Sequence, residues 1–207
     1  LHFRQLFKIL QLLGYGFAAE CHHLAYGLVN LPTGRMKTRE GTVVDADELI
    51  SEETELAKQE ILKREKLSKK ELEARAKQIA LAAIKYYLLK LEPIKDIMFD
   101  PNKAISFEGD TGPYMQYTYA RARSIIRKGR KKAAVRHSFE KSEIGLIKKL
   151  TQFPFVVRKC AAELKPNYLA AYIFELATQF NEFYHAKQVV GDEREETLLA
   201  LVAATAA

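Results

Sequence analysis

The stretch that most restricts the fold is a glycine-rich turn that opens directly into a helix. The turn 109–112 supplies two glycines that can adopt positive φ at little cost and an Asp-Thr pair that can accept hydrogen bonds from free helix N–H groups. Pro113 suits the first helical position because it lacks an N–H group. We therefore expect a helix from about Pro113 to Lys128, followed by Gly129 as a left-handed C-cap.

Helical spacing divides this helix into two faces. One face carries aromatic and cationic side chains, at Tyr114, Tyr117, Arg121, Ser124 and Lys128. The other is apolar and is expected to face the core, with Met115, Tyr119, Ala122, Ile125 and Ile126. Tyrosine rings can stack on unpaired bases and neighbouring cations can meet phosphates, so the first face is typical of an RNA-binding surface. The alternative is that its tyrosines are packing residues and its arginines form a solvated surface.

Positive charge is concentrated around this helix. Residues 101–160 contain fourteen Lys and Arg against four Asp and Glu, a local net charge of +10, whereas the whole chain carries +7 and the remainder therefore sums to −3. Such a concentration favours a polyanionic partner. A membrane is disfavoured because no apolar run reaches the ~18 residues of a span and no helix joins a Lys-rich face to a large apolar one.

Cysteine and histidine spacing argues against a metal site or a disulfide framework. Cys21 and Cys160 lie far apart without Cys-x-x-Cys spacing, and the pair His22-His23 has no partner at ligand spacing. We expect both cysteines to be small core residues in a reducing, cytoplasmic compartment.

The remaining pattern predicts a mainly helical chain. An N-terminal helix over 2–12 and an apolar, strand-like run over 21–29 resemble the end of an α/β domain. Ser68 and Glu71 form a capping-box pattern, and the turn 100–103 separates the central helices from the C-terminal ones. Further helices are expected over 47–63, from Ser68 to about 91, 142–152, 154–164, 166–186 and 192–207, with Asp192 and Glu195 as a cap pair. Since both ends lie inside apparent helices, we expect the chain to be part of a longer protein.

Three segments resemble class I aminoacyl-tRNA synthetases of the arginyl kind. Gly34-Arg-Met-Lys-Thr-Arg-Glu-Gly-Thr-Val-Val44 is similar to the family's KMSKS-type loop, although Arg35 stands where the family usually has Lys and Lys37 where it has Ser. The segment from Phe107-Glu-Gly-Asp-Thr-Gly-Pro-Tyr-Met-Gln-Tyr117 to Arg123 resembles the entry to the anticodon-binding domain. Phe174-Glu-Leu-Ala-Thr-Gln-Phe-Asn-Glu-Phe-Tyr184 resembles a later helix of that domain.

The resemblance implies the fold class and domain organisation. It predicts the end of a Rossmann-like α/β catalytic domain with the KMSKS-like loop (1–44), a helical connecting module that braces the inner bend of tRNA (45–107), and an all-α anticodon-binding bundle truncated at its C-terminus (108–207).

It also implies the activity and the site residues. The expected activity is ATP-dependent charging of tRNA-Arg with arginine, with Mg as the counter-ion of ATP and no protein-bound metal. Cations of a basic loop can stabilise charge developing on phosphates, a role the resemblance assigns to Arg35, Lys37 and Arg39. Met36 and Thr38 complete the ATP-binding set. The predicted tRNA contacts are Tyr114, Gln116, Tyr117, Arg121, Arg123, Arg127, Asn181 and Tyr184.

Several alternatives remain open at this stage. The basic loop could be a solvated turn, Gln116 could satisfy backbone groups, Asn181 could cap locally and Tyr184 could pack in the core. The whole chain could be a non-catalytic RNA-binding module, or a bundle from another class I synthetase such as the cysteinyl or methionyl enzyme. Since no His-x-Gly-His motif occurs in these 207 residues, we expect the chain alone not to form arginyl-adenylate.

Overall fold

The computed structural model describes residues 1–32 and 45–207, and within them the predicted mainly α-helical architecture is confirmed. The elements in chain order are α1 (His2–Leu12), a 3-10 turn (Gly16–Ala19), β1 (Val29–Asn30), α2 (Ala46–Leu62), α3 (Lys69–Leu89), β2 (Ile97–Met98), α4 (Pro101–Ala104), α5 (Gly112–Lys128), α6 (Lys141–Thr151), α7 (Phe153–Glu163), α8 (Asn167–Ala186) and α9 (Glu195–Ala206). The loop residues Arg35, Met36, Lys37, Thr38 and Arg39 lie outside the described residues, so their roles remain predictions.

The apolar run 21–29 is not the buried strand that its composition suggests. Only β1 pairs, in parallel with β2, and the register joins Val29 to Ile97 and Asn30 to Met98. No residue of the run is buried, and Leu24 and Tyr26 are exposed. Since the segment around β2 reaches only the end of the run, the preceding residues find no ladder among the described residues.

A helical hairpin of α2 and α3 forms the first core. The predicted capping box starts α3, because Ser68 Oγ accepts from the Glu71 N–H and the Glu71 carboxylate accepts from the Ser68 N–H. Fully buried alanines allow the two helices to approach closely, and α4 and Phe99 close the end of the cluster.

The second core belongs to the C-terminal bundle. Helices α5, α6, α8 and α9 bury a cluster that includes Ile125, Leu146, Phe180, Leu198 and Val202. Helix α7 packs against α8 on the outside of the bundle and has no fully buried residue. The bundle positions α5 so that its aromatic and cationic face meets α8.

The junction between the two cores is the start of α5. Thr111 Oγ accepts from the Tyr114 N–H as the N-cap, and Gly109 has φ +78°. A Cβ at Gly112 would collide with the Ala82 backbone of α3, so a side chain at position 112 would separate the helices. Tyr86 of α3 donates to the Asp110 carboxylate, which fixes the turn against α3.

Several local expectations are wrong. Gly129 has φ −58° and ψ 137°, so the chain leaves α5 in an extended conformation and not through a left-handed cap. Tyr119 is 53% exposed and lies outside the core. Both cysteines are half-buried. The turn 100–103 continues into α4, and Asp192 accepts from the Arg194 N–H without forming a cap pair with Glu195.

Candidate nucleic-acid interface

Asn181 of α8 joins three side chains of α5. It is 9% exposed, and its Nδ2 donates to Tyr114 Oη at 2.9 Å and to Thr118 Oγ1 at 3.0 Å. Its Oδ1 accepts a hydrogen bond from the Arg121 guanidinium. A buried amide with both ends satisfied fixes the lateral register of two helices, because any shift leaves polar groups unpaired. The bonds reach α5 residues 60 to 67 positions away, so Asn181 is not a local cap.

The Arg121 guanidinium lies between two tyrosine rings. Its central carbon is 4.8 Å from the Tyr117 ring centre and 4.6 Å from that of Tyr184, and one NH2 donates to Tyr117 Oη at 3.1 Å. These distances are within the range of cation–π attraction. Arg121 therefore links Tyr117 of α5 to Tyr184 of α8. Its positive charge already interacts with these two rings and with the Asn181 amide.

Both tyrosine rings remain accessible from outside. Tyr117 is 47% exposed and Tyr184 is 38% exposed. They border a cleft of about 740 Å³ between the second half of α5 and the end of α8. The cleft is lined by Tyr117, Ala120, Arg121, Ser124, Ile125, Lys128, Tyr184, His185, Ala186, Lys187, Gln188, Val189 and Val190. Aromatic faces beside cations in an open cleft can hold unpaired bases and their phosphates.

The other predicted contacts lie away from this cleft. Gln116 is half-buried and its Nε2 donates to the Gln78 carbonyl of α3, while its Oε1 is buried and accepts no hydrogen bond from the described residues. Tyr114 packs with Phe174, with ring centres 6.1 Å apart. Arg123 and Arg127 are exposed on α5 but do not line the cleft. The structure therefore brings together Tyr114, Tyr117, Arg121, Asn181 and Tyr184 and leaves the other three apart.

Sequence reasoning missed the wall of the cleft that is formed by the end of α8 and the residues directly after it. His185, Lys187 and Gln188 belong to this wall, and Lys128 faces it from α5. The turn that they begin is held by Arg194, whose guanidinium contacts the Glu140 carboxylate at 2.7 Å and that of Glu143 at 2.6 Å. The signal that could have found these residues is the continuation of the tyrosine-bearing helix into a His-x-Lys-Gln sequence.

The ion pair of Arg194 with Glu143, next to this wall, is shielded from solvent. The Glu143 side chain is fully buried and that of Arg194 is 12% exposed. Burial opposes ionisation of Glu143, but hydrogen bonds from the Arg194 guanidinium and from the Glu140 N–H outweigh it, so the pKa of Glu143 lies below its usual value. The pair thus stays ionised and anchors the turn to the start of α6.

A second cavity, of about 820 Å³, is lined mainly by apolar groups of α5, α8 and α9. It carries little that could recognise a polyanion. Across residues 1–32 and 45–207, no helix has the length and apolarity needed to cross a membrane. Within the same ranges no cluster of His, Cys, Asp and Glu has the arrangement of a metal site.

Family comparisons divide the chain into two parts. Residues 1–101 match the sequence model described as "tRNA synthetases class I (R), catalytic domain". Residues 115–207 match that of the "DALR anticodon binding domain".

Curated proteins align with almost the entire chain. An arginine–tRNA ligase of Flavobacterium psychrophilum is 44% identical over 197 residues, which cover 93% of this chain and 33% of that protein. One from Bacteroides fragilis is 38% identical and covers 99% of this chain and 36% of its own length. The chain spans about a third of the length of these curated relatives.

Two solved structures with the same fold cover almost the entire chain. The arginyl-tRNA synthetase of Thermus thermophilus superposes with a TM-score of 0.84 at 36% identity, covering 95% of this chain and 34% of that one. The Plasmodium falciparum arginyl-tRNA synthetase gives a TM-score of 0.80 at 26% identity, covering 99% of this chain and 36% of that one.

Proposed function

Since the chain belongs to the arginyl-tRNA synthetase family, we propose that it forms the part of an arginine–tRNA ligase that holds the anticodon arm of tRNA-Arg. The observation that carries this proposal is the Arg121 guanidinium held between two accessible tyrosine rings at the edge of a cleft. Splayed bases of a single-stranded loop can stack on such rings, each stack contributing roughly 1–3 kcal/mol.

The site residues divide by role within this proposal. Tyr117 and Tyr184 offer ring faces to bases, while Arg121 and Asn181 position those rings. Lys128 and Lys187 supply charge at the cleft, although the Lys187 ammonium lies 3.2 Å from the Glu140 carboxylate. Arg123 and Arg127 would meet phosphates outside the cleft, and Gln116 would act structurally through α3.

We propose the predicted domain organisation in the same form. Residues 45–107 brace the inner bend of the tRNA and residues 108–207 hold the anticodon arm. The basic loop, with Arg35, Lys37 and Arg39, meets the phosphates of ATP and its Mg counter-ion in the complete cytoplasmic enzyme. This part of the proposal rests on the sequence resemblance, because the loop lies outside the described residues.

The relatives favour a part of an enzyme over a non-catalytic RNA-binding module, since those reported above are named ligases or synthetases. The chain by itself is expected not to activate arginine. An ATP–pyrophosphate exchange assay with arginine and tRNA present should show no turnover, and measurable exchange would contradict this expectation.

Binding of a tRNA-Arg transcript tests the proposed function directly. Fluorescence anisotropy at low and increasing salt should show binding that weakens steeply, and a tRNA transcript with another anticodon should bind more weakly. Equal binding of both transcripts, or no binding to either at low salt, would contradict anticodon-arm recognition.

The Arg121→Ala variant separates two roles for this side chain. If Arg121 neutralises a phosphate, as the sequence predicts, the slope of log K against log salt falls by about one unit. If Arg121 positions the tyrosines, as its contacts favour, affinity falls while the slope changes little. Lys8→Ala removes an exposed cation of α1, outside the regions proposed to contact the tRNA, and provides the control for loss of one positive charge.

A further inference from the structure

The segment after α5, which we call the basic connector (residues 129–137), has no helix or strand and carries four Lys and Arg residues, three of them in the run 130–132. Connections between helices commonly run over the surface with few contacts to the rest of the protein. This one is instead attached along its backbone to the first turn of α9. The attachment holds the connector at the end of α5 beside the cleft.

The anchors are two buried side chains of α9 and one backbone carbonyl. The Glu195 carboxylate, in a side chain 2% exposed, accepts from the N–H groups of Arg130 at 2.5 Å and Lys131 at 3.1 Å. Thr197 is fully buried, and its hydroxyl accepts from the N–H groups of residues 136 and 137 at 3.0 and 3.1 Å. The Ala134 N–H donates to the Glu196 carbonyl at 3.0 Å.

Glu195 also connects the connector to the cleft. Its second oxygen accepts from the Gly191 N–H at 2.7 Å, directly after the wall residues 188–190. Backbone hydrogen bonds from Gly191 and Arg130 lower the pKa of Glu195, so the carboxylate stays charged near neutrality. One carboxylate therefore fixes both chain segments that leave the cleft.

With the backbone turned towards α9, the connector side chains face solvent. Arg130, Lys132 and Arg136 are exposed, and none of them has an ion-pair partner within the parts of the chain that the structure describes. Lys131 differs, because its ammonium lies 3.2 Å from the Glu196 carboxylate. The connector therefore presents three exposed cations on a backbone that has already lost much of its conformational freedom.

We propose that Arg130, Lys132 and Arg136 form a second RNA contact that binds the phosphate backbone beyond the bases held in the cleft. This proposal rests on the proposed function, because it extends the same anionic strand from the cleft onto the connector. Apart from His137, the connector offers no aromatic ring and no side-chain amide for base recognition, so the contact is made mainly to phosphates and is largely independent of sequence. A lipid surface is disfavoured, since Val135 is the only large apolar side chain of the connector that is exposed.

The test compares two charge-matched triple variants for binding of a tRNA-Arg transcript. Arg130→Gln/Lys132→Gln/Arg136→Gln should lower the slope of log K against log salt by about 2 to 3 units, and weaken cognate and non-cognate transcripts equally. Lys141→Gln/Lys148→Gln/Arg158→Gln removes the same charge from exposed positions on α6 and α7 and should leave the slope nearly unchanged. Circular dichroism checks that both variants are folded.

Anchoring is tested by Thr197→Val, which keeps every charge and nearly the same side-chain shape. We expect a several-fold loss of affinity with an unchanged salt slope, because the cations are no longer held in place. Binding by this variant equal to that of the unmodified chain would overturn the anchoring.

The outcomes distinguish this proposal from the proposed function. If the unmodified chain binds the transcript and the connector variant keeps its salt slope, the connector contact is wrong and the cleft remains. If the unmodified chain does not bind, the proposed function fails as well. Retention on phosphatidylserine vesicles that the connector variant loses, with RNA binding unchanged, would reassign the connector to a lipid surface and overturn the proposal.

Discussion

Replacing Asn181 by alanine should both destabilise the bundle and weaken RNA binding. The substitution removes two hydrogen bonds to neutral hydroxyl groups and one to a charged guanidinium. Neutral bonds contribute about 1 kcal/mol each and charged ones about 1.5–3 kcal/mol. The loss is reduced because the Thr118 hydroxyl keeps its bond to the Tyr114 carbonyl, at 2.9 Å, and water can reach part of Arg121. We expect a decrease of about 3 kcal/mol in the free energy of unfolding.

Urea denaturation followed by circular dichroism measures this decrease, and a thermal scan should show a fall in Tm of about 6–12 °C. The neighbouring Glu182→Gln is the control, because Glu182 is exposed on the same helix and should change stability by less than about 0.5 kcal/mol. In the same samples, Asn181→Ala should weaken tRNA-Arg binding, because Arg121 is no longer held between the rings of Tyr117 and Tyr184.

A decrease of less than about 1 kcal/mol would refute the argument. It would mean that the buried amide adds little to the joint between α5 and α8. Normal RNA binding in a clearly destabilised variant would refute only the second step, in which Asn181 positions Arg121 between the rings.

Substitutions at three other residues test separate features. Burial, with the nearby Glu52 and Asp100 carboxylates, raises the pKa of Glu53 to about 7, so the contribution of Glu53 to stability is fully present below its unfolded pKa of 4.5 and is lost as pH rises through about 7. In urea titrations at several pH values, Glu53→Gln should abolish this part of the pH dependence, and an unchanged profile would contradict the assignment. Arg194→Met should lower the free energy of unfolding by about 3–5 kcal/mol near neutral pH, because it leaves the Glu143 carboxylate buried without its partner. The same urea titrations should show a smaller decrease in acid, where Glu143 takes up a proton, and a decrease independent of pH would point to lost packing instead. Tyr117→Phe should bind tRNA-Arg almost normally in anisotropy titrations, whereas Tyr117→Ala should lose roughly 1–3 kcal/mol, and equal loss in both would mean that the hydroxyl and not the ring makes the contact.

The sequence predicted the helices well where local chemistry defines their ends. Pro113 and the Ser68 capping box mark starts that the structure reproduces, because these residues satisfy or remove free N–H groups within one turn. The left-handed cap predicted at Gly129 was wrong because the conformation there depends on a distant partner. The chain must extend at Gly129 for the next two N–H groups to reach Glu195 of α9. Spacing along one helix contains no information on such a contact.

The candidate site was predicted as a set of residue types but not as an arrangement. The face bearing Tyr117 and Arg121 follows from the helical repeat, whereas the pairing of Arg121 with Asn181 joins residues 60 positions apart. Tyr119 was placed in the core by the same repeat, but the packing of α8 and α9 leaves that position at the rim of the bundle. The repeat gives the direction of a side chain and not the width of the surface that covers it.

Helix α3 takes part in both halves of the molecule. It packs along α2 in the first core, and its Ala82 backbone lies against Gly112 at the start of α5. Farther along, Tyr86 reaches both the Asp110 turn and the Ala170 carbonyl of α8. Because the same helix packs against α2, α5 and α8, a change in the tilt of α3 would change the orientation of the cleft relative to the first core.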